Sequence, residues 1–301
     1  MISLLVVGGD GFIGRHLVAQ LRQQGRGPYV TVFRQARLPD GQAEPFGAQC
    51  IQYDVGKDIP TFLDDWPDIS HAFLCAHHGS VNDCATHRAA TRAVNVIGTE
   101  RLLDALAQRH IMPVFFSSNM VFSGKEPFYS ETAEVNPTTE YGKQKAEVEV
   151  YIAERFSQYL ILRLTKVYSK DFRDETMFTS WLQSWQRGEK IRAFSDMYVA
   201  PMFVGDVVKA AAQLVVGGHC GIYHLGGPVE RSFFEYAQNL LAAFDFPDSL
   251  AENSSWKDAV LGEARPVHNS LSFDRAKRTI GFSPRLIQET LISNVLPIWQ
   301  K

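Results

Sequence analysis

The amino-acid sequence predicts an α/β protein in which helices cover both faces of a doubly wound, mostly parallel β-sheet. Short apolar runs alternate with segments of helical apolar spacing from the N-terminus to about residue 165. A cluster of glycines follows the first apolar run, which is where such a sheet carries a nucleotide-binding turn. Beyond about residue 170 the alternation is less regular, so we expect a smaller, partly discontinuous C-terminal part.

Composition and charge restrict what the chain can be. The 301 residues are 45% apolar and 21% charged, with a formal net charge of −3 and no basic block. These values fit a globular protein and give no electrostatic support for binding nucleic acid or an anionic membrane. No apolar run reaches the ~20 residues of a membrane span, and the N-terminus lacks the basic start of a signal peptide. The four cysteines have no metal-like spacing, so we expect reduced thiols, no bound metal and a cytoplasmic protein.

The first strand, turn and helix form a candidate dinucleotide-binding unit. Ser3–Val7 suits a strand buried on both faces, and apolar residues recur at helical spacing from Ile13 to Leu21. The glycines between them let the backbone approach a pyrophosphate, to which the helix start offers N–H groups. An ordinary tight turn is the alternative, but the place between strand and helix favours nucleotide binding. The residues expected to contact the cofactor here are Gly8, Gly11, Phe12, Ile13 and Gly14.

The next two strands carry further cofactor candidates. Tyr29–Phe33 ends beside Arg34 instead of the carboxylate that an NAD site usually places there. A guanidinium suits the 2′-phosphate of NADP, so we favour NADP, with NAD as the alternative and a solvated arginine as the structural explanation. A strand at Ile51–Tyr53 leads to Asp54 and Val55, which we expect near the adenine.

The remaining elements of the first half place several polar residues at one edge of the sheet. They are a strand at His71–Cys75, a helix at residues 83–109 with a break near its start, a strand at Met112–Phe116, a helix at residues 138–156 and a strand at Tyr159–Leu164. Parallel strands end at one edge, so we expect the glycine turn, Ala76, Ser118 and the start of the second helix to lie together. Asn95 lies on the apolar side of the first helix and would need a polar partner if buried.

A tyrosine and a lysine four residues apart lie in the second of these helices. Tyr141 and Lys145 share one helix face, where an ammonium favours the phenolate and lowers the pKa of the phenol. Such a phenol can transfer a proton at neutral pH. The spacing alone is weak, because any amphipathic helix can carry it and Tyr53 and Lys57 repeat it at a strand end. Helical context and the nearby Ser118 favour the catalytic interpretation.

The second half supplies the predicted substrate side. We divide the chain into a Rossmann-type domain at residues 1–168, to which segments near 203–226 return, and a substrate-binding part at residues 169–301. The aromatic helix face at Phe178–Trp185 is interpreted as core packing, and residues 245–269 as a loop-rich connection. Four residues, each otherwise a plain surface side chain, are candidate contacts for a substrate diphosphate: Lys166, Lys257, Arg265 and His268.

These motifs together resemble the extended short-chain dehydrogenase/reductase family. The residues that carry the resemblance, over residues 3–165, are Gly8, Gly11, Gly14, Asp54, Ala76, Asn95, Ser118, Tyr141 and Lys145. Within the family the chain is most similar to the dTDP-4-dehydrorhamnose reductases, through Ser118–Gly124, Val204–Asp206 and the Arg265–Pro266 pair.

The resemblance implies an NAD(P)H-dependent reduction of a nucleotide-activated 4-keto-6-deoxy sugar. Tyr141 matches the family's proton donor to the carbonyl. Lys145 matches the residue that lowers the tyrosine pKa and holds the nicotinamide ribose. Ser118 matches the residue that hydrogen-bonds the carbonyl oxygen.

Departures from the family pattern leave the substrate open. Lys166 stands where these reductases place a tryptophan near the sugar, and Met197 stands where they carry a glutamine. Two alternatives therefore remain: a nucleotide-sugar epimerase with tightly bound NAD, and a catalytically silent, cofactor-binding regulatory subunit. The sequence gives no oligomeric state, so a homodimer is open as well.

Overall fold

The structure is a computed structural model that describes residues 2–33, 50–66, 68–259 and 263–295. Its strands are β1 (Leu4–Val7), β2 (Tyr29–Val32), β3 (Cys50–Gln52), β4 (His71–Leu74), β5 (Met112–Ser118), β6 (Leu160–Leu164), β7 (Val167–Tyr168), β8 (Ile191–Phe194), β9 (Tyr198–Val199), β10 (Met202–Phe203), β11 (Gly221–Leu225), β12 (Arg231–Ser232) and β13 (Ala251–Ser254). Its α-helices are α1 (Phe12–Gln23), α2 (Val81–Thr86), α3 (Arg88–Arg92), α4 (Thr99–Gln108), α5 (Glu140–Arg155), α6 (Met177–Gln186), α7 (Val204–Val216), α8 (Phe233–Ala243) and α9 (Asp274–Ile280).

Seven of these strands form one parallel sheet in the order β11-β6-β5-β4-β1-β2-β3. Every neighbouring pair is parallel, and the register places Ser118 beside Leu164 and Val7 beside Leu74. The strand order reverses at β1, which lies between β2 and β4, so the sheet is doubly wound. The predicted α/β class is confirmed, and the carboxyl ends of the strands meet at one edge.

The side chains of β1 show why both faces of the sheet are covered. Leu4 and Val6 pack into one core cluster with α1 and α7, whereas Leu5 and Val7 pack into another with α4 and α5. All four are at most 3% exposed. Successive strand residues point to opposite faces, so a strand buried on both must be apolar throughout. The first apolar run of the sequence meets that requirement.

The second half of the chain returns to the sheet and then leaves it again. Strand β11 pairs with β6 at the sheet edge, whereas β7 with β10, β8 with β13 and β9 with β12 form separate two-stranded sheets. The expectation of a loop over residues 245–269 is wrong in part, because β13 pairs in parallel with β8. The aromatic face of α6 is core, since Phe178, Leu182 and Trp185 are at most 2% exposed. The boundary at residue 168 remains a prediction.

The long helix predicted at residues 83–109 is divided. Helix α2 ends at Thr86, α3 begins at Arg88, and a π-helical turn at Ala93–Gly98 precedes α4. Such turns redirect side chains and occur often at functional sites. Here the turn contains Asn95, which is buried. Within the described ranges, no helix has both the length and the apolar character needed to cross a membrane.

Helix α5 approaches the end of β5 more closely than a side chain would allow. Thr139 caps the helix, and its hydroxyl accepts the backbone N–H of Gly142 at 3.1 Å. A β-carbon on Gly142 would lie 2.1 Å from the carbonyl oxygen of Met120, in the turn that follows β5. Glycine therefore permits direct contact between the first turn of α5 and the end of β5.

We expect Gly142→Ala to destabilise the fold, because its methyl group would overlap the backbone of Met120. Overpacking of this kind costs about 1–3 kcal/mol in the free energy of unfolding, which urea denaturation measures. Gly27→Ala is the matched control, since nothing lies within 4 Å of its β-carbon position. Equal unfolding free energies for the two variants would contradict the close contact.

Candidate active site

A cavity of about 980 Å³ opens at the carboxyl edge of the sheet, between the glycine turn and the C-terminal part of the chain. Most residues predicted for cofactor binding or catalysis line it: Gly8, Gly11, Phe12, Ile13, Asp54, Val55, Ala76, Ser118, Tyr141 and Lys145. Gly14 is not on the cavity wall but packs against Gly8, and Arg34 lies outside the described residues. The chain thus brings the predicted constellation together at one place.

The glycine turn has the shape of a pyrophosphate cradle. Gly8 has a φ of 80°, and a β-carbon there would lie 2.8 Å from the backbone of Ala76. A β-carbon on Gly14 would lie 2.1 Å from the carbonyl oxygen of Gly8. Helix α1 begins at Phe12 without a side-chain cap, so its N-terminal N–H groups face this turn. Such a terminus favours an anion through its N–H groups and its dipole.

An acid that the sequence reasoning missed lies at the end of β2. The carboxylate of Asp10, in the glycine turn, accepts the backbone N–H of Phe33 with both oxygens at 3.2 Å. This is the place where an NAD site usually carries a carboxylate for the ribose hydroxyls. The sequence pattern does not indicate Asp10, because this residue reaches the end of β2 from a different part of the chain. Asp10 therefore accounts for NAD as the alternative cofactor, beside the NADP that Arg34 favours.

The residues predicted to lie near the adenine follow β3, next to the second tyrosine–lysine pair, Tyr53 and Lys57. Asp54 accepts the backbone N–H of Gly56 at 2.9 Å, and Lys57 lies 3.4 Å from the same carboxylate. Tyr53 is 4% exposed and packs edge-on against Phe62, and burial raises its pKa to about 12. Tyr53 and Lys57 therefore have the spacing of a helical pair but do not lie on a helix.

Asn95 holds the loop that follows β4. Its side-chain oxygen accepts the backbone N–H of His78 at 2.8 Å, and its nitrogen donates to the carbonyl oxygen of the same residue at 3.0 Å. The nitrogen also donates to Gln144 of α5 at 2.9 Å. The partner that the sequence required for a buried Asn95 is thus present. This amide connects the loop after β4, at His78, to α5 at Gln144.

Ser118, Tyr141 and Lys145 lie together on one wall of the cavity. Ser118 ends β5, is 8% exposed, and accepts the backbone N–H of Met120 at 3.2 Å. The ammonium of Lys145 donates to the carbonyl oxygen of Phe116 at 2.9 Å and lies 5.9 Å from the ring centre of Tyr141. The helix thus presents its phenol and ammonium beside the serine at the strand end.

Burial controls the protonation of this pair. It raises the pKa of Tyr141 to about 12, against a hydrogen bond with Ser118 that lowers it. It lowers the pKa of Lys145 to about 8, although nearby Glu149 and two cysteines favour its charge. The net pKa of the Tyr141 phenol therefore lies above its usual value, and the lowering effect expected of Lys145 stays a prediction. The ammonium is held at the carbonyl oxygen of Phe116, and loss of solvent around the phenol is the largest influence on the phenol's pKa.

His77 is a second residue that the sequence reasoning missed. Its ring contacts Tyr141 edge-to-face, with 5.1 Å between ring centres, and it lines the cavity. Burial and the charge of Lys145 hold its pKa well below the usual value. A neutral imidazole therefore packs against the phenol. In the sequence, only its position directly after Ala76 indicates that His77 lies at the site.

The four predicted diphosphate contacts are not equivalent. Lys166 lines the cavity with its side chain exposed, and partial loss of solvent within the cavity, together with the charge of Arg265, lowers its pKa. Arg265 donates to Asn82 of α2. His268 instead pairs with Glu230 at 3.0 Å, and Lys257 is not on the cavity wall.

Together with Lys166, four residues of the second half line the cavity and form what is here called the substrate wall: Met197, Val199, Phe233 and Asn269. Among the described residues, no cluster of three or more His, Cys, Asp or Glu side chains offers a metal site.

Comparisons with known proteins agree with this geometry. The family model described as the RmlD substrate binding domain matches residues 2–297. A probable low-salt glycan biosynthesis reductase of Haloferax volcanii, Agl14, is 25% identical over 95% of each chain. A dTDP-4-dehydrorhamnose reductase of Aggregatibacter actinomycetemcomitans is 24% identical over 97% of each chain. The methionine adenosyltransferase 2 subunit beta of Bos taurus is 25% identical over 94% of this chain and 83% of its own.

Solved structures share the fold, and at their low identities they show the fold alone. A dTDP-4-dehydrorhamnose reductase from Clostridium acetobutylicum has a TM-score of 0.81 and 18% identity over 100% of both chains. The reductase of that name from Bacillus anthracis, solved with NADP, has a TM-score of 0.78 and 18% identity over 100% of this chain and 99% of its own. A dTDP-glucose 4,6-dehydratase from Streptomyces venezuelae, solved with NAD, has a TM-score of 0.85 and 20% identity over 99% of this chain and 97% of its own.

The family match covers nearly the whole chain, the sheet order is that of a doubly wound nucleotide-binding fold, and the relatives named as reductases align from end to end. The chain belongs to the RmlD substrate binding domain family, and thereby to the extended short-chain dehydrogenases/reductases.

Proposed function

We propose that the chain is an NAD(P)H-dependent reductase, with NADPH preferred, of a nucleotide-activated 4-keto-6-deoxy sugar. One observation carries the proposal: Ser118, Tyr141 and Lys145 share a wall of the cavity whose other end is the glycine turn. The names of the reductase relatives support this substrate class. The cavity would then bind a nucleotide sugar, and the proposed reaction requires neither nucleic acid nor a membrane.

We expect a dinucleotide to lie along the cavity from the glycine turn to Tyr141, because the predicted cofactor residues line it. The cradle formed by Gly8 and the start of α1 would hold the pyrophosphate, and Asp54 and Val55 would hold the adenosine end. Ala76 and Lys145 would hold the nicotinamide ribose, since both line the cavity near Tyr141. When bound, the reduced nicotinamide supplies the hydride that the carbonyl carbon of the sugar receives.

The chain's own residues manage the charge and the proton. Ser118 and Tyr141 donate hydrogen bonds to the carbonyl oxygen and stabilise the negative charge that develops there. Tyr141 gives its phenolic proton to that oxygen, so the carbonyl becomes an alcohol and the phenol becomes a phenolate. The ammonium of Lys145 stabilises the phenolate, and Phe116 keeps it within reach of the ring.

Two other functions have specific support. An epimerase with tightly held NAD is favoured by the Asp10 carboxylate at the end of β2, which suits an unphosphorylated ribose. A regulatory subunit is favoured by Lys166 and Met197 on the substrate wall and by the relative named as a subunit of methionine adenosyltransferase 2. The intact Ser118, Tyr141 and Lys145 arrangement favours the reductase over both.

A substrate panel decides between the three functions. We expect oxidation of NADPH, and more slowly of NADH, with at least one dTDP-, GDP- or UDP-activated 4-keto sugar. Tyr141→Phe should lower kcat by about 10²–10⁴-fold, the usual contribution of one acid–base group. Tyr151→Phe on the same helix is the control, because its hydroxyl bonds Asp104 away from the cavity.

Unchanged turnover in Tyr141→Phe would contradict the catalytic assignment. Purified protein carrying stoichiometric NAD⁺ would favour the epimerase. Stable association with an unrelated enzyme, and no oxidation of NADPH by any sugar of the panel, would favour the regulatory subunit.

We expect kcat/KM for sugar reduction to be constant from neutral pH to about 8 and to fall above it. Burial lowers the pKa of Lys145 to about 8, so the ammonium is lost as the pH rises through that value. Tyr141, with a pKa of about 12, keeps its proton over the same range. Because kcat/KM reports the free enzyme, its alkaline limb follows the lysine. A profile that stays flat to about pH 10 would contradict this assignment.

We expect Lys166→Met to weaken the binding of the nucleotide sugar and not the binding of the cofactor. The ammonium lines the substrate wall beside apolar neighbours, and a hydrogen bond to a charged group contributes about 1.5–3 kcal/mol. The KM for the sugar nucleotide should therefore rise about 10–100-fold, with the KM for NADPH unchanged. Lys257→Met, off the cavity wall, is the control. An equal rise in both KM values would contradict a substrate contact.

A further inference from the structure

The segment Glu263–Asn269, here called the strap, belongs to the C-terminal part but is fixed against the first half of the chain. The carbonyl oxygen of Val267 accepts the backbone N–H of Tyr198 at 2.8 Å. On the other side, His268 donates its backbone N–H to the carbonyl oxygen of Gly124 at 2.9 Å. The strap is thereby held between a loop of the substrate side and the segment that follows β5.

Glu263, at one end of the strap, caps the helix that carries the proposed proton donor. Its two carboxylate oxygens accept the backbone N–H of Glu140 at 3.1 and 3.0 Å. Glu140 is the first residue of α5, and Tyr141 follows it. Only 10% of the Glu263 side chain is exposed, and Arg88 lies 3.6 Å from it. A carboxylate at a helix N-terminus stabilises the first turn through its N–H groups and its dipole.

Asn269, at the other end of the strap, makes the corresponding contact beside Ser118. The side-chain nitrogen of Asn119 donates to the side-chain oxygen of Asn269 at 3.0 Å. Asn269 in turn donates to the carbonyl oxygens of Tyr198 and Pro266 at 3.0 and 2.9 Å. Asn119 and Asn269 are 8% and 6% exposed. Because Asn119 directly follows Ser118, the strap fixes the chain next to the serine.

We propose that the strap is a positioning element, in which Glu263 and Asn269 set the placement of Tyr141 relative to Ser118 so that both reach one carbonyl oxygen. The proposal rests on the proposed reductase function. Glu263 is a positioning residue, since it acts through the backbone of Glu140 and does not line the cavity. The two contacts are 123 and 150 residues apart in sequence, so only the folded C-terminal part can supply them.

The test compares two substitutions of one residue. Glu263→Ala removes both acceptors of the Glu140 N–H, whereas Glu263→Gln keeps one oxygen. We expect Glu263→Ala to lower kcat about 10–100-fold, the effect of a misplacement of roughly 1 Å, with the KM for NADPH unchanged. Glu263→Gln should restore most of the loss. The solvent deuterium isotope effect on kcat should rise in Glu263→Ala, because proton transfer from Tyr141 becomes the slower step.

A readout that needs no activity accompanies the kinetics. Hydrogen exchange at the backbone amides of the first turn of α5 should accelerate in Glu263→Ala. Glu289→Ala is the matched control, because Glu289 also accepts a backbone N–H, that of Leu286 at 2.7 Å, and does not line the cavity. It should change neither the exchange at α5 nor kcat.

The outcomes separate the strap from the reductase function. Faster exchange at α5 together with a lower kcat, both specific to Glu263→Ala, supports the proposal. Unchanged exchange overturns it, whatever the activity. Faster exchange with unchanged kcat shows a structural cap and also overturns it. A wild-type chain that reduces no nucleotide sugar removes the proposed function, and the positioning role falls with it.

Discussion

The contact between the first turn of α5 and the end of β5 is the constraint on which the site depends. Gly142 allows the helix to touch the backbone after β5, and Lys145 donates to the carbonyl oxygen of Phe116 one turn further on. Another turn on, Glu149 accepts from Ser117 at 2.5 Å and from Arg163 of β6 at 2.6 Å. These three residues follow helical spacing on one face, so α5 is attached to the sheet along its first three turns. Strand β5 is itself bonded on both sides, which makes it a rigid base.

This attachment also explains the charges of the site. A lysine that must contact the strand backbone is drawn out of water, and its pKa falls to about 8. The phenol of Tyr141 is enclosed by the same packing and by His77, and its pKa rises to about 12. Both shifts favour the neutral forms of these two side chains. The site therefore disfavours charge until negative charge develops on the carbonyl oxygen of a substrate. A preorganised site of low polarity strengthens the hydrogen bonds that meet such a developing charge.

Local pattern predicts the parts of the site that depend on one segment at a time. Spacing and context predict the strands, the glycine turn and the helix that carries Tyr141 and Lys145. The same helical context distinguishes this pair from Tyr53 and Lys57, which have the same spacing but do not lie on a helix. Contacts between distant segments do not follow in this way. Asp10 reaches the end of β2 through the fold of the glycine turn. The composition around β13 indicates a loop, and a strand forms there because β8, which is distant in sequence, supplies its pairing partner. The raised pKa of Tyr141 does not follow from spacing either, since spacing reports the neighbouring charge but not the burial.

The central claim is that a sugar carbonyl receives a hydride at the wall formed by Ser118 and Tyr141. The most direct measurement is isotope transfer: NADPH with deuterium at both hydrogen positions of nicotinamide C4 is incubated with a dTDP-activated 4-keto-6-deoxy sugar, and the product is analysed by mass spectrometry and NMR. The predicted result is one deuterium at C4 of the reduced sugar, formed by the wild-type chain and greatly slowed in Ser118→Ala. Turnover of the sugar into a product without deuterium at C4 would contradict the claim.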